Sequence, residues 1–230
     1  MLVAAIIGQD SEMQTAELIN SIMTSAGKKV GIIDFRSFCF KDQNHHQGNK
    51  NNCIELDTKK IKCYVNELDK NNTDVLLLKI NILDINNGIF DYLNFDIIIY
   101  NDKADDLREG KIGHYRTLMR RLFSLLKDKG VAIVNVDNSD LIRILHGMRH
   151  QTVTYGFNSK ASITTSSIGD TIFKDGFMCC LQRTISAKDG QVIEPQEFKI
   201  RLETGETDAY NVLAAATFAI VNGIDLNTIN

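Results

Sequence analysis

Val3-Ala4-Ala5-Ile6-Ile7-Gly8-Gln9-Asp10-Ser11-Glu12-Met13-Gln14-Thr15-Ala16-Glu17-Leu18-Ile19-Asn20-Ser21-Ile22 is the stretch that decides the fold. An apolar strand, Val3 to Ile7, runs into a short loop and then into an amphipathic helix with Leu18, Ile19 and Ile22 on one face. Strand, loop and helix in that order are the context of a nucleotide site. A working loop carries Gly-Lys-Ser/Thr at the helix start, where backbone N–H groups cradle phosphate, Lys neutralises it and the hydroxyl holds Mg²⁺. Ser11-Glu12-Met13 stand there instead.

A Lys–phosphate pair about 4 Å apart is worth roughly 4 kcal/mol at an effective dielectric of about 20, and a Glu in its place reverses the sign. Even half of that exchange weakens phosphate binding by orders of magnitude. As local structure the same residues are unremarkable. Ser11 followed three residues later by Gln14 reads as a capping box, and an acid in the first turn suits the helix dipole. Glu12 is therefore expected to start a helix and not to catalyse.

The 230 residues, 43% of them hydrophobic, suffice for one large or two small domains with a buried core. A net charge of -3 and a pI near 6.0 argue against general nucleic-acid binding, although Arg116, Arg120 and Arg121 leave room for a local anion contact. With no run of about 18 apolar residues and no charged-then-apolar leader, a cytoplasmic protein without membrane contact is expected. The cysteines at 39, 53, 63, 179 and 180 form no C-x-x-C pair and read as free thiols of a reducing compartment. His45 and His46, between Cys39 and Cys53, suggest a metal cluster, but the stretch from Lys41 to Asn52 is polar and loop-like, which favours a plain loop. His146 and His150 are four apart, but Gly147 stands where a zinc hydrolase places Glu, and a solvated helix face is the simpler reading.

Apolar β-type runs at Leu2–Ile7, Lys29–Ile33, Val75–Leu78, Ile97–Tyr100, Val131–Val134 and Thr152–Tyr155 alternate with helical patterns around 12–26, 58–70, 112–127 and 139–147. Such alternation predicts an α/β fold, a mostly parallel sheet with helices on both faces. Lys129-Gly130 reads as the turn that closes a helix and opens a strand. From about Ala161 the texture changes to short alternating runs, Ile163–Ile168, Thr171–Phe173, Gly176–Leu181 and Phe198–Leu202, which read as a smaller antiparallel β layer. An Ala-rich helix, Ala209 to Val221, ends at Gly223 and is expected to pack closely on the sheet.

These pieces resemble the central, ATP-binding domain of the Mur ligases, closest to the UDP-N-acetylmuramoyl-tripeptide synthetases. The family's G-T-N-G-K-T-T-T-A-E-L-I aligns without gaps on Gly8 to Ile19, and Ala26-Gly27-Lys28-Lys29-Val30-Gly31 continues it. Phe95-Asp96 opens the strand the family writes F-D-V-A-V-F, Tyr115 to Phe123 matches Y-F-x-A-K-x-R-L-F, and Asn135-Val136-Asp137-Asn138 matches N-x-D-D. Tyr155-Gly156, Tyr210 to Ala216 and Gly223-Ile224-Asp225 complete a resemblance that covers nearly the whole chain.

The resemblance implies ATP and Mg²⁺ as cofactors and formation of an acyl phosphate that an amine attacks. It also implies which positions carry that chemistry. The loop Lys falls on Glu12, the hydroxyl ligand on Met13, a magnesium-binding Glu on Lys79, the carbamylated Lys on Met119, and the His of S-x-D-H-L-D on Leu107, with Asp106 retained. The F-N before the last helix is Thr207-Asp208, and T-T-P has no match near Ile54-Glu55-Leu56. Gly8, Asp10, Ser11, Glu12, Met13, Lys79, Asp106, Leu107, Met119 and Asp208 thus mark a vestigial nucleotide site. No catalytic residue, metal ligand or cofactor is expected to survive, and Glu12 and Lys79 either form an ion pair that fills the cleft or stand as two solvent-facing side chains at its rim.

One Mur-type central domain is expected over 1–230, with a parallel part at 1–158, hairpins at 159–206 and a closing helix at 207–224, and without the family's N- and C-terminal domains. Surfaces those domains cover would be bare, which predicts a homo-oligomer or a protein partner in cell-wall metabolism. Two functions follow: a non-catalytic pseudoenzyme or binding module, or a divergent ATP-dependent amide ligase acting with partner chains. The lost chemistry favours the first.

Overall fold

Apolar runs alternating with amphipathic segments give, in order, β1 (Leu2–Ile7), α1 (Glu12–Ser25), β2 (Val30–Asp34), α2 (Thr58–Lys70), β3 (Val75–Ile80), β4 (Phe95–Tyr100), α3 (Ile112–Phe123), β5 (Leu126–Asn135), β6 (Gln151–Tyr155), β7 (Ile163–Thr165), β8 (Phe177–Leu181), β9 (Ile185–Ser186), β10 (Val192–Ile193), β11 (Gln196–Ile200) and α4 (Ala209–Val221). The computed structural model describes residues 1–8, 12–35, 58–82, 85, 88, 90–101, 112–138, 141, 145, 149–166, 176–200 and 207–228, except the side chains of 12, 13 and 112–115.

Among the described residues the strands form a nine-stranded sheet in the order β11-β8-β7-β6-β5-β4-β1-β3-β2. From β2 to β7 every pairing is parallel, and β8 and β11 add antiparallel strands at the far edge. The fold is α/β, as the alternation predicts. The antiparallel part divides, however: β8 and β11 extend the main sheet, and only β9 and β10 make a separate two-stranded sheet. Ile163–Thr165 also pairs parallel to β6 before turning to β8, so the parallel sheet runs past residue 158.

Parallel strands are stable only where both faces are covered. On one face α1 and α4 cover Ala4, Ile6, Leu77, Ile97, Ile99 and Ile133; on the other α2 and α3 cover Ala5, Leu78, Ile98 and Val134. Every α4 residue from Asn211 to Val221 is buried, and its run of alanines lets the helix lie close on the strands.

The third helix is shorter than its sequence pattern. Leu125 and Leu126 continue the apolar periodicity of α3, yet the helix stops at Phe123 because Ser124 Oγ donates to the Arg121 carbonyl and the Phe95 N–H donates to the Leu125 carbonyl. That second bond draws the chain into the sheet. Lys129-Gly130 then lies within β5 and not at its start, in a bulge between the pairs Phe95↔Leu126 and Ile97↔Val131. A Cβ on Gly130 would stand 2.9 Å from the Lys127 carbonyl, so the bulge needs glycine there. The helix read around 139–147 lies outside the described residues except at Leu141 and Leu145, as does the run Thr171–Phe173.

Asp96 ties the amino end of the sheet together. Its carboxylate accepts from the Val3 N–H (3.0 Å) on β1, from Lys127 Nζ (2.8 Å) in the bulge and from Lys188 Nζ (3.2 Å), whose own N–H donates to Val221 at the end of α4. Burial pushes the carboxyl up, but the Lys127 bond, the Val3 N–H and Lys188 outweigh it and hold its pKa below the usual value. A depressed folded value means the stabilisation is complete above the ordinary carboxylate pKa of about 3.9 and fades as pH falls through the folded value. Asp96→Asn should lose about 2 kcal/mol at neutral pH in urea melts. The deficit should shrink below about pH 3.9, and one that persists unchanged in acid would contradict the assignment.

Candidate functional site

Strand order reverses at β1, which has β3 on one side and β4 on the other, so the carboxyl ends of these strands open onto the switch-point crevice of the sheet. Gly8 is buried directly after β1, and α1 begins at Glu12. The Asn101 N–H donates to the Ile7 carbonyl at 2.8 Å, joining the ends of β1 and β4.

Lys79 lies on β3 with no exposed side chain. Leu77 faces α1 and α4, and strand alternation sends Lys79 to the same face. Its Nζ forms an ion pair with Asp34, its register partner at the end of β2. Asp34 is thus a partner that the sequence reading missed; the Glu12 side chain lies outside those described. A buried pair contributes little net stability, but removing one member strands the other charge.

A second polar cluster links helices to strand ends. Asn101 Nδ2 donates to Thr15 Oγ1 (2.9 Å) and Asn211 Oδ1 (2.7 Å), Thr15 Oγ1 donates to Asn211 Oδ1 (3.1 Å), and Asn101 Oδ1 accepts from Tyr155 Oη (2.7 Å). Asn211 Nδ2 donates to Gln14 Oε1 at 2.7 Å, tying α4 to the start of α1, while Ser11, the other member of the expected capping box, lies outside the described residues. Thr15, Asn101, Asn211 and Tyr155 are all buried. Burial, and then the nearby Asp208, Tyr210 and Asp137, push the Tyr155 hydroxyl well above its ordinary pKa, so it remains a donor.

Beside it, Asp137 receives the N–H groups of Phe157 (2.7 Å) and Asn158 (3.0 Å) and the Tyr210 hydroxyl (3.1 Å), while Asn135 Oδ1 accepts from the Asp137 N–H. Burial, with Asp137 next, raises Tyr210 to about 12. Gly156 holds φ +148°, and a Cβ there would meet Asp137 Oδ2 at 2.6 Å, which explains the Tyr-Gly pair of the sequence. Asp208 caps α4, accepting from the Tyr210 N–H at 2.9 Å.

Of the sequence-derived positions, Gly8, Lys79 and Asp208 lie at this carboxyl edge. Met119 is fully buried in the apolar layer of the α2/α3 face, across the sheet from Lys79. Asp10, Ser11, Asp106 and Leu107, the Glu12 and Met13 side chains, residues 36–57 with His45 and His46, and His146 lie outside the described residues. Arg121 is bound by Asp91 (2.7 Å). No cluster of three metal-ligating side chains occurs, and no helix is long and apolar enough to cross a membrane, among the described residues. The missed residues did leave a signal: Asp34, Asn101 and Asn135 each directly follow an apolar strand run, where a polar side chain at the strand end faces the crevice.

The result is a parallel α/β domain whose polar groups converge at the switch point. A family model of the Mur ligase middle domain matches residues 14–219, and the chain belongs to that family. It is 21% identical to a UDP-N-acetylmuramoyl-L-alanyl-D-glutamate–2,6-diaminopimelate ligase of Geobacillus kaustophilus, over 97% of this chain and 44% of the relative. The corresponding ligase of Chlamydia abortus is 20% identical over 94% of this chain and 42% of its own length. The chain therefore spans less than half of these curated relatives. Among solved structures, a UDP-N-acetylmuramoyl-L-alanyl-D-glutamate–2,6-diaminopimelate ligase superposes with TM-score 0.72 at 18% identity, covering all of this chain and 45% of that one. A bifunctional folylpolyglutamate synthase/dihydrofolate synthase with Mn, AMPPNP and L-glutamate bound gives TM-score 0.60 at 11% identity, covering 99% and 55%.

Lys79→Met and Asp34→Asn should each destabilise the domain by about 3–5 kcal/mol in denaturant melts, with the double variant losing much less than their sum. Strictly additive losses would show that the two side chains do not act as a pair.

Proposed function

We propose that this domain keeps the Mur ligase scaffold without carrying out ATP-driven ligation, and acts as a non-catalytic binding module related to cell-wall peptide ligases. The observation that carries the reading is the buried Lys79 ammonium, paired with Asp34, at the position where the family resemblance calls for a magnesium-binding Glu. An ammonium about 4 Å from a divalent ion is repelled by roughly 8 kcal/mol at an effective dielectric of about 20. The residues present do not suit the metal.

Three further features support the same reading. Glu12 stands where the loop Lys belongs and would repel phosphate. Met119, where the resemblance places a metal-bridging carbamylated Lys, is a core side chain with no exposed surface. Meanwhile the side chains that hold the scaffold, Thr15, Asn101, Asn211 and Asp137, are all engaged. Scaffold kept and chemistry lost is the pattern of a fold retained for binding, with a second copy or a cell-wall protein as its partner.

Calorimetric titration with Mg-ATP tests this on the wild type beside a variant carrying Ser11→Gly, Glu12→Lys and Met13→Thr. The wild type should give no binding heat and no gain in Tm. A ligand present at about 100 times its Kd would add about 2.7 kcal/mol, or roughly 5–10 °C for a chain of this size. Tight wild-type binding would overturn the proposal in favour of a divergent ATP-dependent ligase working with other chains, whereas binding confined to the variant marks a disabled loop on an intact scaffold.

A further inference from the structure

We infer that β11 is a self-complementary edge at which two copies of this chain join their sheets, antiparallel, about a two-fold axis through Phe198. The inference rests on the reading above only for its expectation of a partner, and it names that partner and its surface. Among the described residues β11 ends the nine-stranded sheet and pairs with β8 alone. Which of its backbone groups face outward follows from the next strand. The Gln182 N–H donates to the Ser162 carbonyl at 2.8 Å and Thr165 Oγ1 donates to the Met178 carbonyl, so Met178 and Cys180 turn their backbone groups to β7. Phe177, Cys179 and Leu181 turn theirs to β11, where their register partners are Ile200, Phe198 and Gln196. The N–H and C=O groups of Glu197 and Lys199 therefore point away from the sheet. Among the described residues no hydrogen bond takes up those two N–H groups. Asn227 Nδ2 approaches the Glu197 carbonyl at 3.5 Å, which leaves an oxygen with two lone pairs able to accept again.

An edge of this kind accepts another strand, and its side chains select which. Glu197 and Lys199 are both exposed on the face of β11 opposite Phe198 and Ile200, and neither has an ion-pair partner among the described residues. The Cys180 thiol reaches the Glu197 carboxylate only at 3.5 Å. A second β11 laid antiparallel and centred on Phe198 sets Glu197 opposite the second copy's Lys199, and Lys199 opposite its Glu197. These are also the residues whose backbone groups face outward, so each opposed pair exchanges N–H···O=C bonds while its charges meet. Centring the axis on Glu197 or on Lys199 would instead set like charges face to face. Pro195, just before β11, has no N–H with which to lengthen the ladder. A joint this short is a small interface, so the dimer forms and parts readily and gathers at high protein concentration.

Sedimentation velocity of the full chain from micromolar to millimolar concentration tests this. The mass should rise from that of one chain toward that of two. Glu197→Lys and Lys199→Glu each set like charges opposite one another and should each weaken association about tenfold. An equimolar mixture of the two variants restores unlike pairs on both sides of the axis and should associate as tightly as the wild type. Because both side chains are exposed, neither change should alter Tm. In the same concentration series the Glu197 and Lys199 amides should exchange more slowly with solvent as the dimer forms, while the Phe198 amide, bonded to β8, stays slow throughout. A chain that remains monomeric at every concentration overturns the inference, as does association that neither variant weakens or that the mixture fails to restore. None of these results depends on nucleotide, so they stand apart from the Mg-ATP titration that decides the functional proposal.

Discussion

Among the described residues, central parallel strands buried on both faces leave little room for polar side chains except at the strand ends, and the rest of the structure follows from that constraint. Buried polar groups must be answered, because an unpaired donor or acceptor there costs about 1–3 kcal/mol. The chain answers them twice over. Asn101, Thr15, Asn211 and Tyr155 bond one another at the centre, and Lys79 bonds Asp34 toward the β2 edge. The first of these clusters fixes the first turn of α1 against α4 and the end of β4. The start of α1 is therefore held by side chains of the protein itself.

Much of the fold was legible in the sequence because apolar periodicity is a local property. Leu2–Ile7 and Ala209–Val221 form as read, to the residue, since each is bounded by a strong stop: Gly8 after the first, the Asp208 cap and Gly223 around the second. The end of α3 was not legible. Leu125 and Leu126 fit a helix as well as a strand, and only the Phe95 N–H, thirty residues earlier, decides between them. The same limit explains the division of the antiparallel segments, since strand length does not reveal whether a hairpin joins the main sheet.

Of the site, residue types were legible in the sequence and their partners were not. The proposed loss of phosphate and metal chemistry rests on residue type at Glu12, Lys79 and Met119, which a sequence displays directly. The partner of Lys79 depended on register: Asp34 meets it because β2 and β3 pair at those positions, and no spacing along the chain announces it. Asn101, Asn135 and Asp34, each closing an apolar run, were the available hint. Membership of the Mur ligase middle-domain family accounts for the frame on which these side chains are set. Within that frame, hydrogen bonds and one ion pair of the protein itself order the carboxyl edge of the sheet.

The most direct measurement is an amide chemical-shift titration of the wild-type chain, following Gly8, Thr15, Lys79 and Asn101 as Mg-ATP is raised into the millimolar range. A self-supported edge without nucleotide chemistry predicts that these four amides stay put and already exchange slowly with solvent before any nucleotide is added. Saturable shifts at Gly8 and Thr15, with exchange protection that appears only when nucleotide is present, would contradict it.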